Sequence, residues 1–274
     1  MARLSVVREL DLPITEASGL CSFAGMDGQE RVALIGDATN ELAIAPVTDG
    51  GRLDWEQHDL TTFADAPPEL SQLEAIAYAG ATSLVVLGEE PSLLAAVDVA
   101  GSRFLGCWHL SPDSDGDLRK VWNRDENSRG EALLLGPSGH VLIIKEKNPI
   151  LVVEFGPAGD AALITDPGTW GTTPWQPPPG AELAALAWSQ LDTTLDDVSD
   201  AHAFEERIML LSDQNCVLAE LTVTAGDWQV GRAIKLDKMI EKPEGLTRLS
   251  DGRWFVAVDQ DDYRAALLEI ESPL

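Results

Sequence analysis

Five short segments open on an acid followed by a small residue, and their recurrence is the strongest chemical signal in the chain. They read Glu16-Ala17-Ser18-Gly19-Leu20, Glu74-Ala75-Ile76-Ala77-Tyr78, Glu131-Ala132-Leu133-Leu134-Leu135, Asp197-Val198-Ser199-Asp200-Ala201 and Glu244-Gly245-Leu246-Thr247-Arg248. The leading acids stand 58, 57, 66 and 47 residues apart, a period that marks a repeated supersecondary unit. If equivalent positions face one axis, Glu16 or Ser18, Glu74, Glu131, Asp197 or Ser199, and Glu244 form a ring. Asp37, Glu89, Lys145, Asp213 and Asp259, from a second repeated set of polar loops, form a wider rim above it.

Carboxylates crowded into a narrow channel repel one another, and their pKa values rise unless a cation or hydrogen bonds compensate. Calcium is the economical answer, because it accepts about six to eight oxygens in a forgiving geometry that suits one ligand per repeat. Zinc is not supported: His58, His109, His140 and His202 are scattered and no Cys-x-x-Cys occurs. The alternative is purely structural, with the acids capping strand-end amides or pairing with Arg129, Lys145, Lys147 and Lys242. Should the ring be catalytic, Asp37 or Glu146 is the candidate base, and Lys145, Lys147 and Arg129 the candidates to stabilise developing negative charge. Gly156-Pro157-Ala158-Gly159 has no following helix and reads as a turn, and no Gly-x-Ser-x-Gly elbow supports an esterase.

The elements that must position these residues are strands. Val32-Ala33-Leu34-Ile35, Leu84-Val85-Val86-Leu87, Val141-Leu142-Ile143-Ile144, Ile208-Met209-Leu210-Leu211 and Trp254-Phe255-Val256-Ala257-Val258 are short apolar runs bounded by Gly, Asp, Asn and Pro. Third strands are expected at 42–47, 93–99, 150–155, 217–223 and 265–270, and fourth strands at 55–60, 104–110 and 229–236. No long amphipathic helix is evident. Four-stranded units repeated around a circle make an all-β, five-bladed β-propeller. The strand at Arg3 to Leu10 is expected to close the last blade, and residues 1–274 to form one domain. The stretch 156–195 reads as an insertion with a strand or short helix at 183–191; a sixth blade could come only from there. Trp170 and Trp175, on that insertion, are expected to fold it against the blades.

Nineteen Lys and Arg against 46 Asp and Glu give a formal charge of −27, which lacks the basic footprint nucleic acid requires. The charge also favours a monomer. No apolar run reaches the roughly 18 residues of a membrane span, and the first residues lack a signal-peptide core. Cys21, Cys107 and Cys216 are an odd, widely spaced set that reads as reduced core thiols, so a cytoplasmic location is expected. The implied partners are a small anionic ligand or another protein.

Glu16-Ala17-Ser18-Gly19-Leu20, Leu73-Glu74-Ala75-Ile76, Lys145-Glu146-Lys147-Asn148-Pro149-Ile150, Leu195-Asp196-Asp197-Val198-Ser199 and Pro243-Glu244-Gly245-Leu246 together resemble the SdiA-regulated family of bacterial proteins. That resemblance implies a five-bladed propeller and brings no established activity. A more distant similarity is to the calcium-activated nucleotidases, or apyrases. It implies axial calcium held by a ring in the order Ser, Glu, Glu, Ser, Glu, which falls on Ser18, Glu74, Glu131, Ser199 and Glu244. The apyrase rim pairs arginines and aspartates, whereas here Lys145 and Lys147 flank Glu146 and Asp37 stands alone. Nucleotide hydrolysis is therefore only weakly implied, since lysine lacks the bidentate fork.

Overall fold

The computed structural model describes residues 3–48, 52–124, 128–164, 166–171, 173–224, 227–259 and 266–274. Arg3–Leu4 (β1) and Val6–Asp11 (β2) precede a first antiparallel meander of Ala17–Ala24 (β3), Glu30–Gly36 (β4), Glu41–Pro46 (β5) and Glu56–Asp59 (β6). The second comprises Leu73–Gly80 (β7), Ser83–Gly88 (β8), Leu93–Asp98 (β9) and Arg103–Ser111 (β10). After a short helix, Gly116–Trp122 (α1), the third comprises Ala132–Leu135 (β11), Val141–Lys145 (β12), Leu151–Gly156 (β13) and Glu182–Gln190 (β14). The fourth is Asp200–Phe204 (β15), Arg207–Ser212 (β16), Val217–Thr224 (β17) and Asp227–Leu236 (β18). Pro243–Arg248 (β19), Trp254–Val258 (β20) and Ala266–Ile270 (β21) make a fifth with β2, which pairs antiparallel with β21.

Sequence pattern and position agree. The second strands β12 and β20 are buried throughout and read as unbroken apolar runs, whereas the fourth strands β10 and β18 mix buried and exposed residues. Each first strand packs on the next in cyclic order: β3 on β7, β7 on β11, β11 on β15, β15 on β19, and β19 back on β3. Among the described residues five apolar cores follow that order. One lies between each consecutive pair of meanders, and the last joins Leu249 and Phe255 to Leu20 and Val32. Close approach at the axis depends on Gly19, where a Cβ would stand 3.0 Å from the Ala75 Cα. Buried Asp200 adds a polar tie between neighbouring first strands: its carboxylate accepts from Leu246 N at 2.6 Å on β19 and from Ala201 N at 2.7 Å.

Three details depart from the sequence reading. The N-terminal strand is split, so that β2 closes the fifth meander while β1 lies parallel to β18 as a fifth strand of the fourth. Within 156–195 the fourth strand β14 is extended, and it also pairs in parallel with β10, merging the second and third meanders into one eight-stranded sheet. Helix α1 was not anticipated. The insertion folds inward as expected: Trp170 and Trp175 are buried, Trp175 packs edge-on against Trp108, and its Nε1 donates to the His140 carbonyl at 3.2 Å. Buried Glu154 fastens the same region by accepting from Leu163 N and facing His140 Nδ1 at 2.6 Å.

Candidate functional site

A β-bulge opens every first strand, and it sets where the ring side chains point. In β3 the register skips from Ala17 to Gly19, in β7 from Leu73 to Ala75, and in β19 from Pro243 to Gly245. In the third meander Glu131 N donates to the Ile144 carbonyl while Ala132 is also paired with Ile144. In the fourth, Ser199 N donates to the Leu211 carbonyl while Asp200 is paired with Leu211. Two residues thus face one in all five, and the extra residues are Ser18, Glu74, Glu131, Ser199 and Glu244. A bulge twists its strand and redirects one side chain, here at the same place in each unit. Glu16 and Asp197 lie outside these positions.

The rim is equally regular. The residue following each second strand is an acid: Asp37 after β4, Glu89 after β8, Glu146 after β12, Asp213 after β16 and Asp259 after β20. Lys145 was expected in this rim, but it is the last residue of β12 and fully buried, with Nζ donating to Ser128 Oγ at 2.9 Å and to the Lys147 carbonyl at 2.6 Å. The strand alternation turns Lys145 inward and leaves the rim to Glu146.

Four residues of each tier line a cavity of about 360 Å³, Ser18, Glu74, Glu131 and Glu244 below and Asp37, Glu89, Glu146 and Asp259 above, joined by Glu16, Gln72 and Lys147; Ser199 and Asp213 are outside its lining. Lys147 is the cation among them, and its Nζ is 2.6 Å from Glu146 Oε1. Arg129 lines a different depression and meets the rim through its backbone N, which donates to Glu89 Oε1 at 2.9 Å. Asp197 is buried beneath the rim, accepting from Ser212 Oγ and from Gln214 N. The two ring serines donate to carbonyls, Ser18 to Leu73 and Ser199 to Pro243 at 2.6 Å. Gln72, Glu89 and Asp259 complete the lining; Gln72 stands two residues before a ring acid, a spacing that could have been noticed in the sequence.

Burial raises the acids far above the ordinary carboxylate range. Glu74 rises to about 9, first through desolvation and then through Glu89, Asp37 and Glu146; Glu244 rises to about 9 through desolvation, Asp213 and Asp197. Glu131 is raised by desolvation and by Glu74, and Asp37, Glu89, Glu146 and Asp213 are raised chiefly by burial. The donor set is hard oxygen, which fits calcium. Among the described residues, however, no three His, Cys, Asp or Glu side chains converge closely enough to coordinate a bare ion together. No helix among these residues is long and apolar enough to cross a membrane.

The SdiA-regulated family model matches residues 66–259. No curated protein matches the chain. Glutaminyl cyclase of Myxococcus xanthus is 12% identical, with a TM-score of 0.56 over 98% of this chain and 95% of that one. Regucalcin of Agrobacterium tumefaciens, described as a calcium-binding protein, is 12% identical, with a TM-score of 0.55 over 100% and 98%. The PQQ-bound aldose sugar dehydrogenase of Streptomyces coelicolor is 10% identical, with a TM-score of 0.51 over 98% and 97%. At these identities the likeness concerns the fold alone, and together with the cyclic meanders it fits a β-propeller.

Proposed function

The chain belongs to the SdiA-regulated family, and on that premise we propose that it is a five-bladed β-propeller that binds a small anionic ligand through a calcium ion held in its axial funnel. The observation that carries this reading is the pair of in-register tiers, bulge residues below and strand-end acids above, lining one cavity. Five meanders with five cores arranged cyclically support the blade count and the reading of one domain, since cutting such a ring would expose two apolar faces. Glu74, Glu131 and Glu244 would hold such an ion, which would keep part of its water shell because no three acids among the described residues converge on a bare ion. Asp37, Glu89, Glu146 and Asp259 would accept hydrogen bonds from that water. When bound, the ion supplies the positive charge that an anionic ligand needs in an otherwise repulsive funnel. The fold shared with a calcium-binding regucalcin is consistent with this.

Calcium-dependent hydrolysis of a small phosphorylated substrate is the weaker reading. Of the three cations it needs, only Lys147 lines the cavity, and Glu146 already pairs with it. Metal analysis of the purified protein, with melting curves in chelator and in millimolar calcium, tests the proposal. Bound calcium and a rise in melting temperature, both lost when Glu74→Ala and Glu244→Ala are combined, support it. An absence of metal and of any shift refutes it, and turnover of a phosphate or ester panel would move the assignment to the hydrolase.

A further inference from the structure

Outside the funnel, β10 and α1 frame a second depression of about 300 Å³ with the opposite chemistry. His109, Arg119, Asn123 and Arg129 line it, and among the described residues Asp113 is the one acid in the lining. Against a formal charge of −27, two arginines and a histidine around one small cavity run counter to the composition, so the protein's overall field does not account for them. Asp113 Oδ1 lies 3.3 Å from Arg119 Nε, on the side of the guanidinium, and leaves both terminal amino groups of Arg119 without a protein acceptor among the described residues. Among the described residues, the carboxylate facing His109 Nε2 is that of Glu69, at 3.9 Å. A planar fork with a free edge and a neighbouring imidazole suit a small oxyanion, which can accept bidentate bonds from Arg119 while a remaining oxygen faces His109.

We propose that this depression is a binding site for a small oxyanion, a phosphate or a carboxylate. It does not depend on the funnel's ion. Glu89 forms the wall between the two sites, since its side chain lines the funnel while its Oε1 takes the Arg129 backbone N–H.

The test is calorimetric titration of the full chain with inorganic phosphate and, in parallel, acetate. It is run in chelator at pH 6 against chloride of matched ionic strength. Arg119 and His109 have side chains 63% and 51% exposed, so Arg119→Gln and His109→Gln should fold normally. The expected result is saturable binding of at least one anion, weakened tenfold or more by Arg119→Gln and less by His109→Gln. Arg119→Lys should restore it only partly, because lysine lacks the fork. The tighter of the two anions identifies the ligand class. Binding no better than chloride, or affinity unchanged in Arg119→Gln, overturns the proposal.

Discussion

Replacing Glu74 by glutamine should stabilise the metal-free protein at alkaline pH, which is an unusual expectation for a ring residue. Glu74 has a folded-state pKa of about 9 against 4.5 for the free side chain, so its raised value favours folding only below 4.5 and is lost progressively as pH rises towards 9. At pH 7 the two and a half pH units traversed, at about 1.36 kcal/mol each, come to about 3.4 kcal/mol of lost stability. Glu74 keeps some contact with solvent in the funnel, which trims the expectation to about 2 to 3 kcal/mol. Glutamine keeps the shape and removes the titration. Urea denaturation followed by tryptophan fluorescence, in chelator at pH 5 and pH 8, reads the effect directly. The variant should roughly match the parent at pH 5 and exceed it by about 3 to 4 kcal/mol at pH 8, one pH unit further up the same slope; in millimolar calcium the order should reverse. A Glu74→Gln protein that is no more stable than its parent in chelator at pH 8 would refute the reasoning, because the carboxyl would then be compensated within the protein itself.

At the other end of the axis, burial and Arg248 lower the His202 pKa to about 4 from 6.5, so the folded state keeps this ring neutral. Its contribution is full above 6.5 and disappears as pH falls to 4, so His202→Gln should abolish roughly 2 to 3 kcal/mol of acid sensitivity in denaturant titrations at pH 7 and pH 4.5. Asp200→Ala strips the acceptor from at least two buried amides and should cost about 2 to 6 kcal/mol by the same assay. Trp175→Ala, which empties the contact with Trp108 and the bond to His140, should cost about 3 to 5 kcal/mol. Gly19→Ala should lower the melting temperature by several degrees, because the Ala75 backbone leaves its methyl no room.

The units were legible because the second strand of each is buried on both faces and must be apolar throughout, so Val141 to Ile144 and Trp254 to Val258 announce themselves. Helix α1 was not. Its seven residues bury only Leu118 and Trp122, too few for a period to emerge, and its start depends on one side chain, Asp115, accepting from Asp117 N and Leu118 N. The displacement of Lys145 by Glu146 in the rim has a similar origin. Glycine ends β4 and β8 just before their rim acids, but β12 runs straight into Lys145-Glu146-Lys147, and with no turn residue to fix the strand end a one-residue slip reverses which side chain faces inward. The β1 pairing rests on two residues, below any pattern.

The bulges explain why a ring of this kind can hold serine and glutamate at equivalent places. Backbone geometry, rather than the side chain, aims the position at the axis, so either residue can occupy it. The two serines use that aim differently. Ser18 donates to the carbonyl of Leu73 and Ser199 to that of Pro243, the residues directly before Glu74 and Glu244. Each hydroxyl therefore fixes the backbone that carries the next unit's acid and keeps two inner strands in register, while its lone pairs still face neighbouring groups. Charge count follows from the same arrangement. Five ring carboxylates would add to a rim that is already acidic at every position, and neutral serines at two of the five sites relieve repulsion where strand-to-strand alignment is needed. On the proposed reading, the three remaining glutamates, held protonated by burial, are the groups that a divalent ion would draw into their charged form.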